Sequence, residues 1–134
     1  MNIIADTNLL VRFFIQDDET QFSKVSELFE KSSTIIIPTN AICELVWVLS
    51  YSYRLQKQDI AEIIRMLLNT DNVLIKDAEV EFGLKMLEQN GDFADGINAI
   101  SGIQMTMGQE VAFASFDKKA VKILRNLGIN VVEL

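Results

Sequence analysis

Short apolar runs alternate with helical patterns along almost the whole chain, and this alternation limits the folds open to it. Five runs are near-continuously apolar and end at turn or cap residues, so they read as buried strands. They cover residues 2–5, 34–37, 72–75, 111–116 and 129–132. Buried strands that alternate with helices pair in parallel. We therefore expect an α/β fold with a mostly parallel five-stranded sheet and helices on both faces.

Helical patterns fill the segments between these strands. They cover residues 8–15, 20–31, 39–53, 57–69, 77–89, 93–107 and 117–127. Thr39, Asp77 and Asp117 stand where N-caps are favoured, and Gly128 stands where a helix commonly stops. No repeat, low-complexity tract or linker interrupts the order. The sequence therefore predicts a single domain over residues 1–134.

The composition removes several classes of chemistry. The chain has no histidine and one cysteine, Cys43, which excludes histidine catalysis, Cys- or His-cluster metal sites and intramolecular disulfides. Its net charge of -7 disfavours nucleic-acid binding through bulk charge, although a bound cation would still hold a phosphate. An enzyme of this composition has to work with carboxylates and metal ions.

No basic segment precedes the first apolar run, and no run approaches the ~18 residues of a membrane span. We therefore expect a protein that stays in the cytoplasm and away from membranes.

Two acids follow strands directly. Asp6 follows the first strand and Asp117 follows the run at 111–116. Ligands of open parallel sheets bind beyond the carboxyl ends of the strands, so this position suits a site. Both acids also suit helix N-caps, and the two roles are compatible.

Two further acids lie in helical segments. Glu44 has apolar neighbours on both sides, so we expect it to be buried, and burying a lone carboxylate is costly enough to favour a functional role. Asp95 is expected to cap the helix at 93–107, with Asn98 one turn further on. Asp92 reads as a solvated loop acid.

Four converging carboxylates would repel one another, and a divalent cation relieves that repulsion. Hard oxygen donors without histidine or cysteine select Mg²⁺ or Mn²⁺, ions that act on phosphates. The acids therefore indicate phosphoryl-transfer chemistry.

The same four positions resemble the motifs of PIN-domain ribonucleases, and among these the VapC-type toxins of toxin–antitoxin pairs. The matching segments are Asp6-Thr7-Asn8, Asn40-Ala41-Ile42-Cys43-Glu44-Leu45, Phe93-Ala94-Asp95 and Ser115-Phe116-Asp117-Lys118. Their order spans nearly the whole chain.

The resemblance implies an endoribonuclease whose metal is held by four acids, Asp6, Glu44, Asp95 and Asp117. A metal-activated water would attack the phosphodiester in line and leave a 5′-phosphate and a 3′-hydroxyl. Structured RNA such as transfer or ribosomal RNA would be the substrate, a cognate antitoxin would block the site, and the protein would form a homodimer. The candidates for orienting a carboxylate or a bound water are Thr7, Asn8, Asn98 and Ser115.

Basic and aromatic residues leave alternatives open. Lys118, Lys122 and Arg125 share one helical face, which suits phosphates flanking the cut and equally suits an ordinary solvated face. The aromatic residues of the segment 39–53 are Trp47, Tyr51 and Tyr53. Their spacing favours packing in the core or at a dimer surface over base stacking.

Two other functions compete with the nuclease. A phosphoacceptor receiver domain also uses carboxylates and Mg²⁺ on an α/β fold, but it would need a second acid beside Asp6 and an acceptor after a middle strand. A non-catalytic binding module of the same fold would use the negative charge for solubility alone. Nothing in the sequence separates RNA from DNA as substrate.

Overall fold

Seven helices and five strands form in a computed structural model that describes residues 1–134. In chain order they are β1 (Asn2–Ile4), α1 (Thr7–Phe14), α2 (Glu19–Lys31), β2 (Thr34–Ile36), α3 (Thr39–Tyr51), α4 (Lys57–Leu68), β3 (Val73–Leu74), α5 (Asp77–Glu88), α6 (Phe93–Met105), β4 (Phe113–Ser115), α7 (Lys118–Asn126) and β5 (Val131–Glu133). The predicted alternation and the parallel pairing are both confirmed. Thr39 is the first residue of α3 and not its cap, because Pro38 occupies the N-cap position.

The strands hydrogen-bond as two sheets of three and two strands, and not as the single sheet predicted. β1, β2 and β3 form one parallel sheet in that order, and β4 pairs only with β5. Each strand has two or three residues, so each offers few hydrogen bonds for pairing. Apolar runs identify strands, but they do not say which strands pair.

The contacts group the elements into two compact units, Met1–Asp77 and Ala78–Leu134. In the first unit α1 packs on α2 and α3, and Ile35 of β2 lies in register between Ile3 and Val73. Its largest fully buried side chains are Leu10, Ile37, Ile42, Leu45, Leu49, Ile60 and Ile64. The prediction that residues 1–134 form one domain stays a prediction.

The second unit contains α5, α6, α7 and the sheet of β4 and β5. Its core cluster consists of Met86, Ala99, Ile123 and Leu124. α6 approaches α5 closely at Gly96, where an added Cβ would lie 2.6 Å from Cγ of Met86 and 3.0 Å from the Cα of Gly83. Gly128 follows α7 with φ of +89°, which confirms it as the stop predicted from the sequence.

A cavity of about 530 Å³ lies inside the first unit. Phe13 packs at its wall against Phe14, Phe22 and Phe29, with ring centroids 5.2, 5.9 and 5.2 Å apart. The hydroxyl of Ser26 is buried beside it without a hydrogen-bond partner.

Replacing that hydroxyl is expected to stabilise the protein. Ser26→Ala removes an unsatisfied buried polar group and adds helix propensity in α2, so the free energy of unfolding should rise by about 1 kcal/mol or more. Urea denaturation measures the change. Ser23→Ala, at an exposed position of α2, should gain only about 0.5 kcal/mol from propensity. A loss of stability in Ser26→Ala would show that the hydroxyl is satisfied.

Candidate functional site

Asp6 lies between β1 and α1 and is the N-cap of that helix. Its Oδ1 accepts a hydrogen bond of 3.0 Å from the backbone N–H of Leu9. The residue is exposed, and the cap leaves Oδ2 available. Capping therefore fixes the carboxylate at the end of the strand without using up its capacity as a ligand.

Glu44 is exposed, which corrects the expectation that it is buried. Its apolar neighbours Leu45 and Val46 lie on the buried side of α3, whereas Glu44 shares the opposite side with Asn40 and Trp47. The acid stands between apolar residues in sequence but on the solvent side of the helix in space.

Both oxygens of Glu44 accept side-chain hydrogen bonds. Thr7 Oγ1 donates to Oε2 over 2.9 Å, and Asn40 Nδ2 donates to Oε1 over 3.1 Å. Thr7 directly follows Asp6, so the bond joins the start of α1 to the middle of α3 beside both acids. Asn40 is a residue that the sequence reasoning missed. Its position four residues before Glu44 on one helix was the available signal.

Asp95 is half-buried in the first turn of α6. Burial raises the pKa of its carboxyl above the usual value, and the negative charges of Asp92 and Asp117 raise that pKa further. The sequence predicts Asp95 as the N-cap of α6, and that prediction is wrong. Asp92 caps the helix instead, because its Oδ1 accepts from the backbone N–H of Ala94 over 3.0 Å. Asp92 is therefore a capping residue and not simply a loop acid.

Asp117 caps α7 as the sequence predicts. Its Oδ1 accepts a hydrogen bond of 3.1 Å from the N–H of Ala120. Ser115 Oγ accepts a bond of 2.9 Å from the N–H of Asp117 itself. Ser115 thus holds the backbone from which the acid projects.

The raised pKa of Asp95 predicts a stability effect in metal-free protein. A carboxyl whose pKa is higher in the folded state favours folding when protonated and opposes it when charged. That favourable contribution is complete at low pH and is lost as the pH rises through the folded-state pKa. Asp95→Asn should therefore raise the melting temperature by a few degrees at pH 7 in EDTA, and the gain should fade on acidification.

Thermal unfolding across pH measures this effect. Asp71→Asn makes the same charge change at an exposed position and should leave the melting temperature unchanged. A lower melting temperature in Asp95→Asn at pH 7 would contradict the conclusion that burial and the charges of Asp92 and Asp117 disfavour the charged form of Asp95.

The donor chemistry of the four acids fits a hard divalent cation. All four offer carboxylate oxygens, and the pKa of Asp95 is raised first by burial and then by the charges of Asp92 and Asp117, which a cation would offset. Neither unit by itself arranges three or more acids as a metal cluster. Asp6 and Glu44 belong to the first unit, and Asp95 and Asp117 belong to the second. Their joint role as metal ligands stays a prediction.

The remaining candidates are all exposed. Asn8 follows Thr7 on α1 and Asn98 lies on α6, and the roles proposed for both stay predictions. Three basic side chains, Lys118, Lys122 and Arg125, lie on the exposed side of α7, whereas the opposite side is buried. That placement leaves them accessible to phosphates.

Comparison with known proteins agrees with these features. The model of the PIN domain family matches residues 3–104, which include three of the four acids. The VapC ribonuclease of Aquifex aeolicus (strain VF5) is 26% identical over 122 residues, a stretch that covers 87% of this chain and 90% of the relative. No helix has the length and apolar character needed to cross a membrane. The resemblance drawn from the sequence motifs is thereby confirmed, and the chain belongs to the PIN-domain family.

Proposed function

We propose that this protein is a metal-dependent endoribonuclease toxin of a toxin–antitoxin pair. The observation that carries the proposal is the pair of hydrogen bonds that Thr7 and Asn40 donate to Glu44. Thr7 is the residue after Asp6, so the bond from Thr7 links the two acids through the start of α1. An exposed carboxylate fixed through both of its oxygens is oriented in advance for a ligand. The likeness to a protein named VapC ribonuclease supports RNA as the substrate.

The proposed ligands of Mg²⁺ or Mn²⁺ are Asp6, Glu44, Asp95 and Asp117. A bound divalent cation would supply a more acidic water as nucleophile and would neutralise charge on the phosphate. Thr7 and Asn40 orient the Glu44 carboxylate, and Ser115 fixes the backbone of Asp117. Asn8 and Asn98 are the remaining candidates for orienting a carboxylate or a water.

The RNA backbone is proposed to contact α7. Lys118, Lys122 and Arg125 follow Asp117 on one exposed face, so they suit the phosphates on either side of the cut. The substrate proposed is a structured cellular RNA, transfer or ribosomal, cut to leave a 5′-phosphate and a 3′-hydroxyl.

A cognate antitoxin is the proposed inhibitor. Acids that hold a cation also attract a basic side chain, so an antitoxin that inserts one would displace the metal and block cleavage. A homodimer in the cytoplasm is the assembly proposed for the active protein.

Mapping of new 5′ ends tests the proposal directly. Total bacterial RNA is incubated with antitoxin-free protein in Mn²⁺ or in EDTA, and ends bearing a 5′-phosphate are ligated and sequenced. Discrete ends that appear only with metal are expected, and their positions identify the substrate. Identical maps with and without EDTA would contradict metal dependence.

A further inference from the structure

The solvent side of α3 carries two large aromatic side chains. Trp47 is 59% exposed and Tyr51 is 67% exposed, although the opposite side of the helix is buried. Their rings lie against each other with centroids 5.1 Å apart and planes inclined by 35°. Their exposure excludes packing of these two rings in the core and leaves the dimer surface, the other expected position, as a prediction. Neighbouring exposed aromatic side chains of this kind are typical of a surface that binds another molecule.

The aromatic pair continues the face that holds Glu44. Residues 40, 44, 47 and 51 follow one another at helical spacing, so Trp47 lies about one turn and Tyr51 about two turns beyond Glu44. At a rise of about 1.5 Å per residue, the stripe extends about 10 Å from the acid. A ligand lying along it reaches both the rings and the Glu44 carboxylate.

Arg54 stands just beyond the end of this stripe. Its φ of 56° lies in the left-handed region, and the N–H of Leu55 closes the helix end by donating to the carbonyl of Leu49. A non-glycine residue in that conformation is uncommon, and the side chain it carries is exposed and forms no ion pair. Arg54 therefore offers an exposed cation three residues after Tyr51, just past the end of the helix that carries the two rings.

We propose that Trp47 and Tyr51 stack on unpaired bases of the RNA next to the bond that is cut, while Arg54 contacts a backbone phosphate. The inference rests on the proposed function, from which it takes RNA as the ligand. Stacking binds any base and needs no positive charge, which suits a chain with a net charge of -7. A second copy of the chain seated on the two rings is the competing occupant, and the titration below distinguishes it from RNA.

Fluorescence titration tests the stacking without any cleavage, because Trp47 is the only tryptophan of the chain. The full chain in EDTA is titrated with a short oligouridylate and, separately, with a base-paired RNA of equal length. Quenching by the single strand and much less by the duplex is expected. Tyr51→Ala should weaken binding of the oligouridylate about 5- to 100-fold, whereas Tyr51→Phe keeps the ring and should bind nearly as wild type.

Three outcomes would overturn the stacking proposal. The first is equal quenching by single strand and duplex, and the second is unchanged affinity in Tyr51→Ala. The third is emission that changes with protein concentration in the absence of RNA, which would show that a second copy covers the face.

Cleavage assays separate this proposal from the proposed function. If wild type and Tyr51→Ala produce the same metal-dependent ends at equal rates and equal KM, the stacking proposal fails while the nuclease stands. If wild type produces no metal-dependent ends, the nuclease fails, and the titration in EDTA still decides whether the rings bind single strands. A raised KM in Tyr51→Ala that Tyr51→Phe restores supports the stacking.

Discussion

Asp6→Asn is expected to lower metal-dependent cleavage by about 100-fold or more, because asparagine removes the charge with which this residue would hold a divalent cation. The fold should survive the substitution. Oδ1 of Asp6 caps α1 by accepting from Leu9, and asparagine caps helices as well as aspartate does. The measurement is the yield of new 5′ ends in Mn²⁺, together with the melting temperature of each variant.

Asp18→Asn is the matched control for this loss. Asp18 caps α2 in the same unit through the same geometry, with Oδ1 accepting from Gln21 over 3.0 Å, but it is not among the proposed ligands. The control should therefore cleave as wild type. Normal cleavage by Asp6→Asn, or an equal loss in both variants, would reject Asp6 as a metal ligand.

Local signals in the sequence were sufficient to place the elements of the fold. Cap chemistry located the starts of α1 and α7 at Asp6 and Asp117, and Gly128 ended α7, because each of these signals acts within a few residues. The division of the strands into sheets depends on pairing between distant segments. Short apolar runs carry no information about such pairing, so the predicted five parallel strands are present but hydrogen-bond as three and two strands instead of as one sheet.

The exposure of individual side chains was harder to predict than their position along the chain. The apolar residues around Glu44 suggested burial. Some of them, including Trp47, lie with Glu44 and Tyr51 on the solvent side of α3, so an apolar sequence there does not mean a buried helix face. Aromatic residues score as core in any pattern of hydrophobicity. The same limit hid the exposed pair of Trp47 and Tyr51, whose exposure only the structure shows.

The roles of Asp92 and Asp95 show a related limit. Either acid suits the start of α6 by residue type, and the choice depends on where the helix begins to within one or two residues. The structure begins α6 at Phe93, which makes Asp92 the cap and moves Asp95 into the first turn. That shift is what places Asp95 half-buried near Asp117.

Gly96→Ala is expected to destabilise the protein by about 3 kcal/mol, a large part of the stability of a small protein. The new Cβ would lie 2.6 Å from Cγ of Met86 and 3.0 Å from both the Cα of Gly83 and the carbonyl oxygen of Phe82. Met86 is fully buried and the other two neighbours are backbone, so α5 and α6 have to separate. The free energy of unfolding from urea denaturation measures the loss.

Gly102→Ala makes the same substitution on the same helix and is expected to have the opposite sign. No atom lies within 4 Å of a Cβ added at Gly102, so the variant gains helix propensity of up to about 1 kcal/mol without a steric cost. From sequence alone both glycines only lower the helix propensity of this segment, so the sequence does not distinguish Gly96 from Gly102. A stable Gly96→Ala variant would show that α5 and α6 pack less closely than the structure indicates, and Asp95, the residue before Gly96, would then be placed less firmly at the start of α6.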